Sequence, residues 1–176
     1  YNNAGDFSQV QTITTGAIPF RLATADFNGD FKTDLVYIPV SDSGGTPAGL
    51  VLNQTNNVFL PQRTLTLSAY SSLGNTGVSG TIQTGDVNGD GAFDVLIAAP
   101  FTSGSLVVLL GDGKATFRSL PVDQTIAAKA VEMTTLDIDE DGKLDLLVAH
   151  CCGDTSARLY YGRADGTFGA GHPKPA

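Results

Sequence analysis

Three nine-residue phrases recur along the chain: DFNGDFKTD from Asp26 to Asp34, DVNGDGAFD from Asp86 to Asp94, and DIDEDGKLD from Asp137 to Asp145. All fit D-x-[DN]-x-D-x-x-x-D, which sets side-chain oxygens at positions one, three, five and nine of a tight turn. The chemistry such a pattern suits is capture of a hard cation. Calcium takes about six to eight oxygen ligands at about 2.3–2.6 Å, so several carboxylates have to crowd onto a backbone that curls around one ion. The second phrase offers Asp86, Asn88, Asp90 and Asp94, with the Ala92 carbonyl at position seven, and Gly89 and Gly91 permit the positive φ angles of the curl. The third offers Asp137, Asp139, Asp141 and Asp145 with the Lys143 carbonyl. It carries more ligand charge and is expected to bind at least as tightly. The first offers Asp26, Asn28, Asp30 and Asp34 with the Lys32 carbonyl, but Phe31 stands where the others have Gly91 and Gly142. A left-handed Phe costs on the order of 1–2 kcal/mol, so this site is expected to be the weakest of three.

An EF-hand would need a glutamate at position twelve between flanking helices. Those positions are Tyr37, Ile97 and Val148, inside apolar runs, so the closing carboxylate is the aspartate at position nine. Asp, Asn and Gly also build ordinary surface turns, but threefold recurrence with every ligand position filled argues for the cation. Ten of the 18 acidic residues fall at these positions, where they repel one another unless a cation is present.

Elements that position these loops follow from the spacing. The phrases start 60 and 51 residues apart, longer than a solenoid coil and suited to a four-stranded propeller blade. Short apolar runs follow each loop at once (LVYIPV, VLIAAP, LLVAH) and read as buried strands. Stretches before each loop (IPFRLATA, SGTIQTG, KAVEMTTL) and after each apolar run (AGLVLN, GSLVVLL, SARLYYG) read as two more. A fourth element is expected to end on Phe59, Phe117 and Phe168, after the polar turns LNQTNNVF, LGDGKATF and YGRADGTF, and YNNAGDF at the start repeats the phrase to Phe7. No stretch sustains a helical period with caps. The expectation is all-β: one propeller segment over 1–176, with repeats near 5–59, 60–117 and 118–168 and a tail at 169–176.

These phrases, with GDGKATF and RADGTF, resemble the FG-GAP and VCBS-type repeats of integrin α-chain propellers, bacterial secreted repeat proteins and some fungal lectins. The resemblance covers essentially the whole chain. It implies calcium held between the first two strands of each blade. It says little about function, because the scaffold serves adhesion, sugar binding and architecture alike.

Three blades fall short of the roughly four to eight of a closed propeller. Taken alone, the segment leaves the third blade without its outer strand and the FSQVQTI strand (7–13) without a blade. Exposed edges recruit other chains, so pairing of 7–13 of one subunit with 156–161 of another is expected to give a homo-oligomeric ring or a polymer. On this reading the chain is a calcium-binding, non-enzymatic, self-assembling structural protein of the cell surface or exterior. The alternative is a fragment of a larger calcium-binding propeller acting as a lectin or adhesion module.

A net charge of -8 argues against nucleic acid as a partner. No apolar run reaches the roughly 20 residues of a membrane span, and YNNAGDF lacks a signal-peptide pattern. For catalysis there is no G-x-S-x-G or H-E-x-x-H motif and no phosphate-binding glycine loop. His150 and His172 are the only neutral-pH bases, with His150 read as structural. Tyr160 and Tyr161 are candidate sugar-stacking groups but are read first as packing residues, and Asn53-Gln54-Thr55 is a potential glycan acceptor. Adjacent cysteines rarely reach good disulfide geometry with each other, so Cys151 and Cys152 are read as small buried hydrophobes, with a bridge to another chain as the sharper alternative.

Overall fold

A computed structural model describes residues 11–40, 48–55, 58–61, 63–65, 80–98, 105–120, 124–126, 130–151, 153 and 155–169. The first sheet runs β1 (Pro19–Ala25), β2 (Asp34–Pro39), β3 (Gly49–Val51) and β4 (Arg63–Thr64) in that order. The second runs β5 (Thr81–Gly85), β6 (Asp94–Ala98), β7 (Ser105–Gly111) and β8 (Phe117–Ser119), and β9 (Gln124–Thr125) adds to β7. The third runs β10 (Ala130–Leu136), β11 (Asp145–His150), β12 (Ala157–Gly162) and β13 (Phe168–Gly169). Every pairing is antiparallel, so each sheet is a meander. No α-helix occurs among the described residues. The nine-residue phrases join the first and second strands of each sheet, as their position before the apolar runs requires.

The second strands explain why the sheets stack like blades. Side chains alternate between faces, yet β2 and β6 are buried at every residue. Val36 and Ile38 face a core shared with Val95 and Ile97 of β6, while Leu96 and Ala98, on the other face of β6, enter a core with Leu146 and Val148 of β11. A strand that is apolar throughout therefore serves two cores, one on each side. Phe27 and Phe117 meet edge to face across the first core, with ring centroids 5.6 Å apart. Leu35, Tyr37 and Val51, on the outer face of the first sheet, pack with Ile13 and Phe59, and the Tyr37 hydroxyl donates to the Thr15 carbonyl.

The first strands lie side by side where the sheets converge. Thr84 Oγ1 donates to the Thr24 carbonyl at 3.2 Å, and Thr135 Oγ1 donates to the Thr84 carbonyl at 3.4 Å. Each of these threonines stands two residues before a loop aspartate, a recurrence that sequence reading passed over.

Three expectations change. The phenylalanines do not end the fourth element: Phe117 and Phe168 begin β8 and β13, because the polar phrase before them is the turn itself, closed by the Asp112 amide to the Thr116 carbonyl and the Arg163 amide to the Thr167 carbonyl. In the first sheet Phe59 makes only a bridge to Asn53 before β4. The third sheet has a fourth strand after all, the two-residue β13. Cys151 is half-buried and disulfide-bonded, not a buried free thiol. Cys152, His172, the tail beyond 169 and most of FSQVQTI lie outside the described residues; Gln11 to Ile13, the described part of that phrase, are not in a strand.

Candidate metal centres

The three loops share one network. The first aspartate accepts backbone amides of the curl: Asp26 from Gly29 (2.8 Å) and Phe31 (2.7 Å), Asp86 from Gly89 and Gly91 (both 2.8 Å), Asp137 from Asp141 (3.0 Å) and Gly142 (2.9 Å). Position three accepts the amide of position five, and position five accepts that of position seven, so Asn28, Asn88 and Asp139 hold Asp30, Asp90 and Asp141, which in turn hold Lys32, Ala92 and Lys143. Repeated side-chain-to-amide bonds are what let Asp and Asn compete with regular structure here.

The ninth residue does more than close the loop. Asp34, Asp94 and Asp145 are buried at the first position of the second strands. One oxygen of each accepts the amide of loop position two (Phe27, Val87, Ile138) at 2.8–3.0 Å. The other accepts an amide at or just after the third strand's end (Asn53, Gly111, Gly162) at 2.8–2.9 Å. Each aspartate thus ties a loop to two strands, and its other lone pairs stay available to an ion. The approach is close: a Cβ on Gly111 would lie 2.3 Å from the Phe93 carbonyl oxygen, and one on Gly162 2.1 Å from that of Leu144. Glycine is needed at both points. At the equivalent place the first sheet has Asn53, which is 7% exposed; a glycan on its side chain is incompatible with this packing.

Burial pushes the Asp94 carboxyl up from 3.8 to about 6, against the lowering effect of the Gly111 and Val87 amides and with added repulsion from Asp90 and Asp86. Asp34 is raised for the same first reason, burial. Asp30 works against a desolvation penalty, but the Lys32 ammonium 3.1 Å away and the Lys32 amide hold it below its ordinary value. Lys143 is raised by its hydrogen bond to Asp141 and by the charges of Asp141, Asp139 and Asp137. In the first and third loops, then, the negative field already draws in a cation, the loop's own lysine at position seven. Ala92 gives the second loop no such group.

Fit to a bound cation can be tested by distance. Oxygens about 2.3–2.6 Å from one ion can lie at most about 5 Å apart. Carboxylate oxygens of Asp137, Asp139 and Asp145 lie within 4.8 Å of one another, the only such acidic, histidine or cysteine group among the described residues. The first and second loops have asparagine at position three. Three of the third loop's carboxylates therefore already lie within the spread that one divalent cation allows. Asp141, turned toward Lys143, would have to swing inward to join.

Backbone strain is distributed differently from the sequence expectation. Phe31 is indeed left-handed, with φ of +62°, and it is 98% exposed. The third loop carries a matching strain that was missed: Glu140, at the position of Gly29 and Gly89, has φ of +60°. Only the second loop has glycine at both left-handed positions, so strain alone does not set the first loop apart. Phe31→Gly is expected to raise stability by about 1 kcal/mol, the relief of left-handed strain less the added freedom of the unfolded chain. A thermal melt would show it as a rise of about 2–4 °C; an unchanged or lower midpoint would rule the strain out.

Residues 86–148, from the start of the second loop through the third loop into β11, match the FG-GAP-like repeat. Among solved structures, a lectin from Agrocybe aegerita, described as recognising non-reducing terminal N-acetylglucosamine, superposes with a TM-score of 0.60 at 20% identity. The match covers 84% of this chain and 36% of the lectin, so the chain spans little more than a third of that protein. No curated protein matches the sequence.

Proposed function

We propose, from an FG-GAP-like repeat in residues 86–148 and three blade-like sheets each headed by an aspartate loop, that this chain is a calcium-stabilised, non-enzymatic propeller module of the cell exterior that associates through its end blades. The observation that carries the metal reading is the gathering of Asp137, Asp139 and Asp145 within 4.8 Å. A bound calcium ion would supply charge neutralisation and a rigid crosslink. The chain's own residues do the rest: the first aspartates hold the curl open by accepting its amides, and the ninth aspartates pass that order into the strands. Asp26, Asn28, Asp30, Asp34 and the Lys32 carbonyl would form the first site. Asp86, Asn88, Asp90, Asp94 and the Ala92 carbonyl would form the second, and Asp137, Asp139, Asp141, Asp145 and the Lys143 carbonyl the third. Three divalent ions would cancel six of the eight net negative charges.

Calorimetric titration of the chelator-treated protein is expected to count up to three calcium ions per chain. Asp137→Ala should remove one of them and leave the others. A titration with no heat and no saturation would defeat the metal reading.

A second reading, carbohydrate binding, is favoured by the likeness to a lectin that recognises terminal N-acetylglucosamine. Tyr160 and Tyr161 are half-buried in β12, and Tyr160 packs against the second core, so a sugar platform would have to come from elsewhere. Screening on immobilised glycans, with N-acetylglucosamine as competitor, tests this reading; binding that N-acetylglucosamine displaces supports it, and no retained glycan removes it.

A further inference from the structure

The ninth aspartate of each loop ties its own sheet together, and two short turns carry that tie on to the neighbouring sheet. In the second sheet the turn 112–116 joins β7 to β8. Its Ala115 amide donates to the carbonyl of Phe27 in the first loop at 2.7 Å, and its Gly113 carbonyl oxygen lies 3.3 Å from where a Cβ on Gly29 would stand. In the third sheet the turn 163–167 joins β12 to β13. Gly166, which follows Gly162 at the offset by which Ala115 follows Gly111, is buried against the second loop: a Cβ on it would lie 3.6 Å from Val87 Cγ2 and 3.7 Å from Asn88 Cβ. Both turn residues are left-handed, Ala115 at φ +59° and Gly166 at φ +80°. The same place in each turn thus meets position two of the preceding sheet's loop. A non-glycine residue keeps such a φ only where its surroundings hold it, and Ala115 is held by the first core and by its bond to Phe27.

Position two is also the residue whose amide the ninth aspartate of that loop accepts, Phe27 at Asp34 and Val87 at Asp94. Each turn in its own sheet follows directly on the strand end that the next ninth aspartate holds, Gly111 at Asp94 and Gly162 at Asp145. Contacts therefore run unbroken from the first loop to the second and from the second to the third. Within the turns, an exposed aspartate that belongs to no loop sets the shape. Asp112 accepts the Lys114 and Thr116 amides at 2.8 and 3.0 Å, and Asp165 accepts the Thr167 amide and hydroxyl at 3.0 and 2.6 Å.

We infer that the three aspartate loops are coupled through these two turns, so that calcium in one loop raises the affinity of its neighbour. This rests on the calcium reading above and adds its regulation. Without an ion the carboxylates of a loop repel one another, and ordering the curl costs conformational entropy. An ion that orders the first loop fixes Phe27 and so seats Ala115. The seated turn holds Gly111 against Asp94, and part of the second loop's ordering is complete before its own ion arrives. A site ordered in advance binds more tightly, and the effect is reciprocal between sites.

Calcium titration of the full chain followed by amide NMR is the test, because the Gly91 and Gly142 amides, each donating to the first aspartate of its loop, report the second and third sites separately. Emptying the third loop with Asp137→Ala is expected to weaken calcium at the second by about fivefold or more, the lower end of coupling between sites. Asp165→Ala should abolish that dependence, so that in its background Asp137→Ala leaves the second site's affinity unchanged. In chelator, Asp165→Ala alone should speed hydrogen exchange at the Val87 amide. Calcium that binds the second loop equally well whether the third is filled or empty would overturn the coupling and leave the metal reading intact. So would a dependence of the same size in the Asp165→Ala background, which would place the coupling outside the turn. If no calcium is taken up, the metal reading fails and the exchange measurement decides: faster exchange at Val87 supports the turn as the link between loops, and unchanged exchange overturns it.

Discussion

Asp94→Ala is expected to cost on the order of 3–5 kcal/mol, whether or not calcium is present. The side chain is fully buried and accepts the Val87 and Gly111 amides at 2.8 Å each. Hydrogen bonds to a charged group are worth about 1.5–3 kcal/mol, and a buried donor left without its acceptor costs about 1–3 kcal/mol. Alanine would leave two such amides behind. Asp90→Ala is the contrast: Asp90 is exposed and holds the Ala92 amide within a surface turn, so its loss should leave the chelator-treated protein nearly as stable as the wild type while removing one ion. Urea denaturation of both variants, with calcium and with chelator, separates the two roles. Equal costs for the two substitutions in chelator would mean that the ninth aspartate is only a ligand and not a structural tie.

The second large effect is a reversal of pH dependence by calcium. For the metal-free protein, Asp94 titrates near 3.8 when unfolded and at about 6 when folded, raised chiefly by burial. The folded state holds this proton more tightly, so folding takes up a proton between those values. The stability it contributes is fully present below about 3.8 and is lost as pH rises through about 6, by on the order of 2–3 kcal/mol for a buried group. Asp34 is shifted in the same direction and adds to the trend. In chelator the melting midpoint should therefore rise as pH falls from 7 to 5. With calcium at a hundred times its dissociation constant, each site adds about 2.7 kcal/mol, and only when its carboxylates are ionised. The same change in pH should then lower the midpoint. Parallel pH profiles with and without calcium would contradict the assignment of these carboxylates to cation sites.

Much of the fold was legible in the sequence because its signals were local and recurred. The loop phrases mark the turns between first and second strands, and runs such as VLIA after Asp94, apolar at successive residues, mark strands that serve two cores at once. The fourth strands were legible only in part. Phe117 and Phe168 are apolar residues after polar turns, and nothing local says whether such a residue ends one strand or begins the next; pairing of Gly111 with Phe117 and Gly162 with Phe168 decides it.

For the site, the spacing of oxygens was visible but the second role of the ninth aspartate was not. Its partners at Asn53, Gly111 and Gly162 lie 17 or 19 residues away, beyond any local motif. Left-handed Phe31 was readable because its two counterparts are glycine, whereas Glu140 passed unnoticed because an acidic residue looks ordinary in an acidic loop. The threonines at 24, 84 and 135 could have been found, since each stands at the same offset from a loop. Their meaning needed the packing of neighbouring first strands. The disulfide at Cys151 was not legible, because two adjacent cysteines give no sequence signal for which partner a bridge takes.

The most direct test of the central claim, that the three aspartate loops are calcium sites built into propeller-like blades, is a crystal structure grown in calcium with anomalous data. One anomalous peak is expected in each loop, within coordination distance of positions one, three, five and nine and of the carbonyl at position seven, with Lys32 and Lys143 displaced from Asp30 and Asp141. Loops with no peak, and both lysines still seated on those carboxylates, would contradict it.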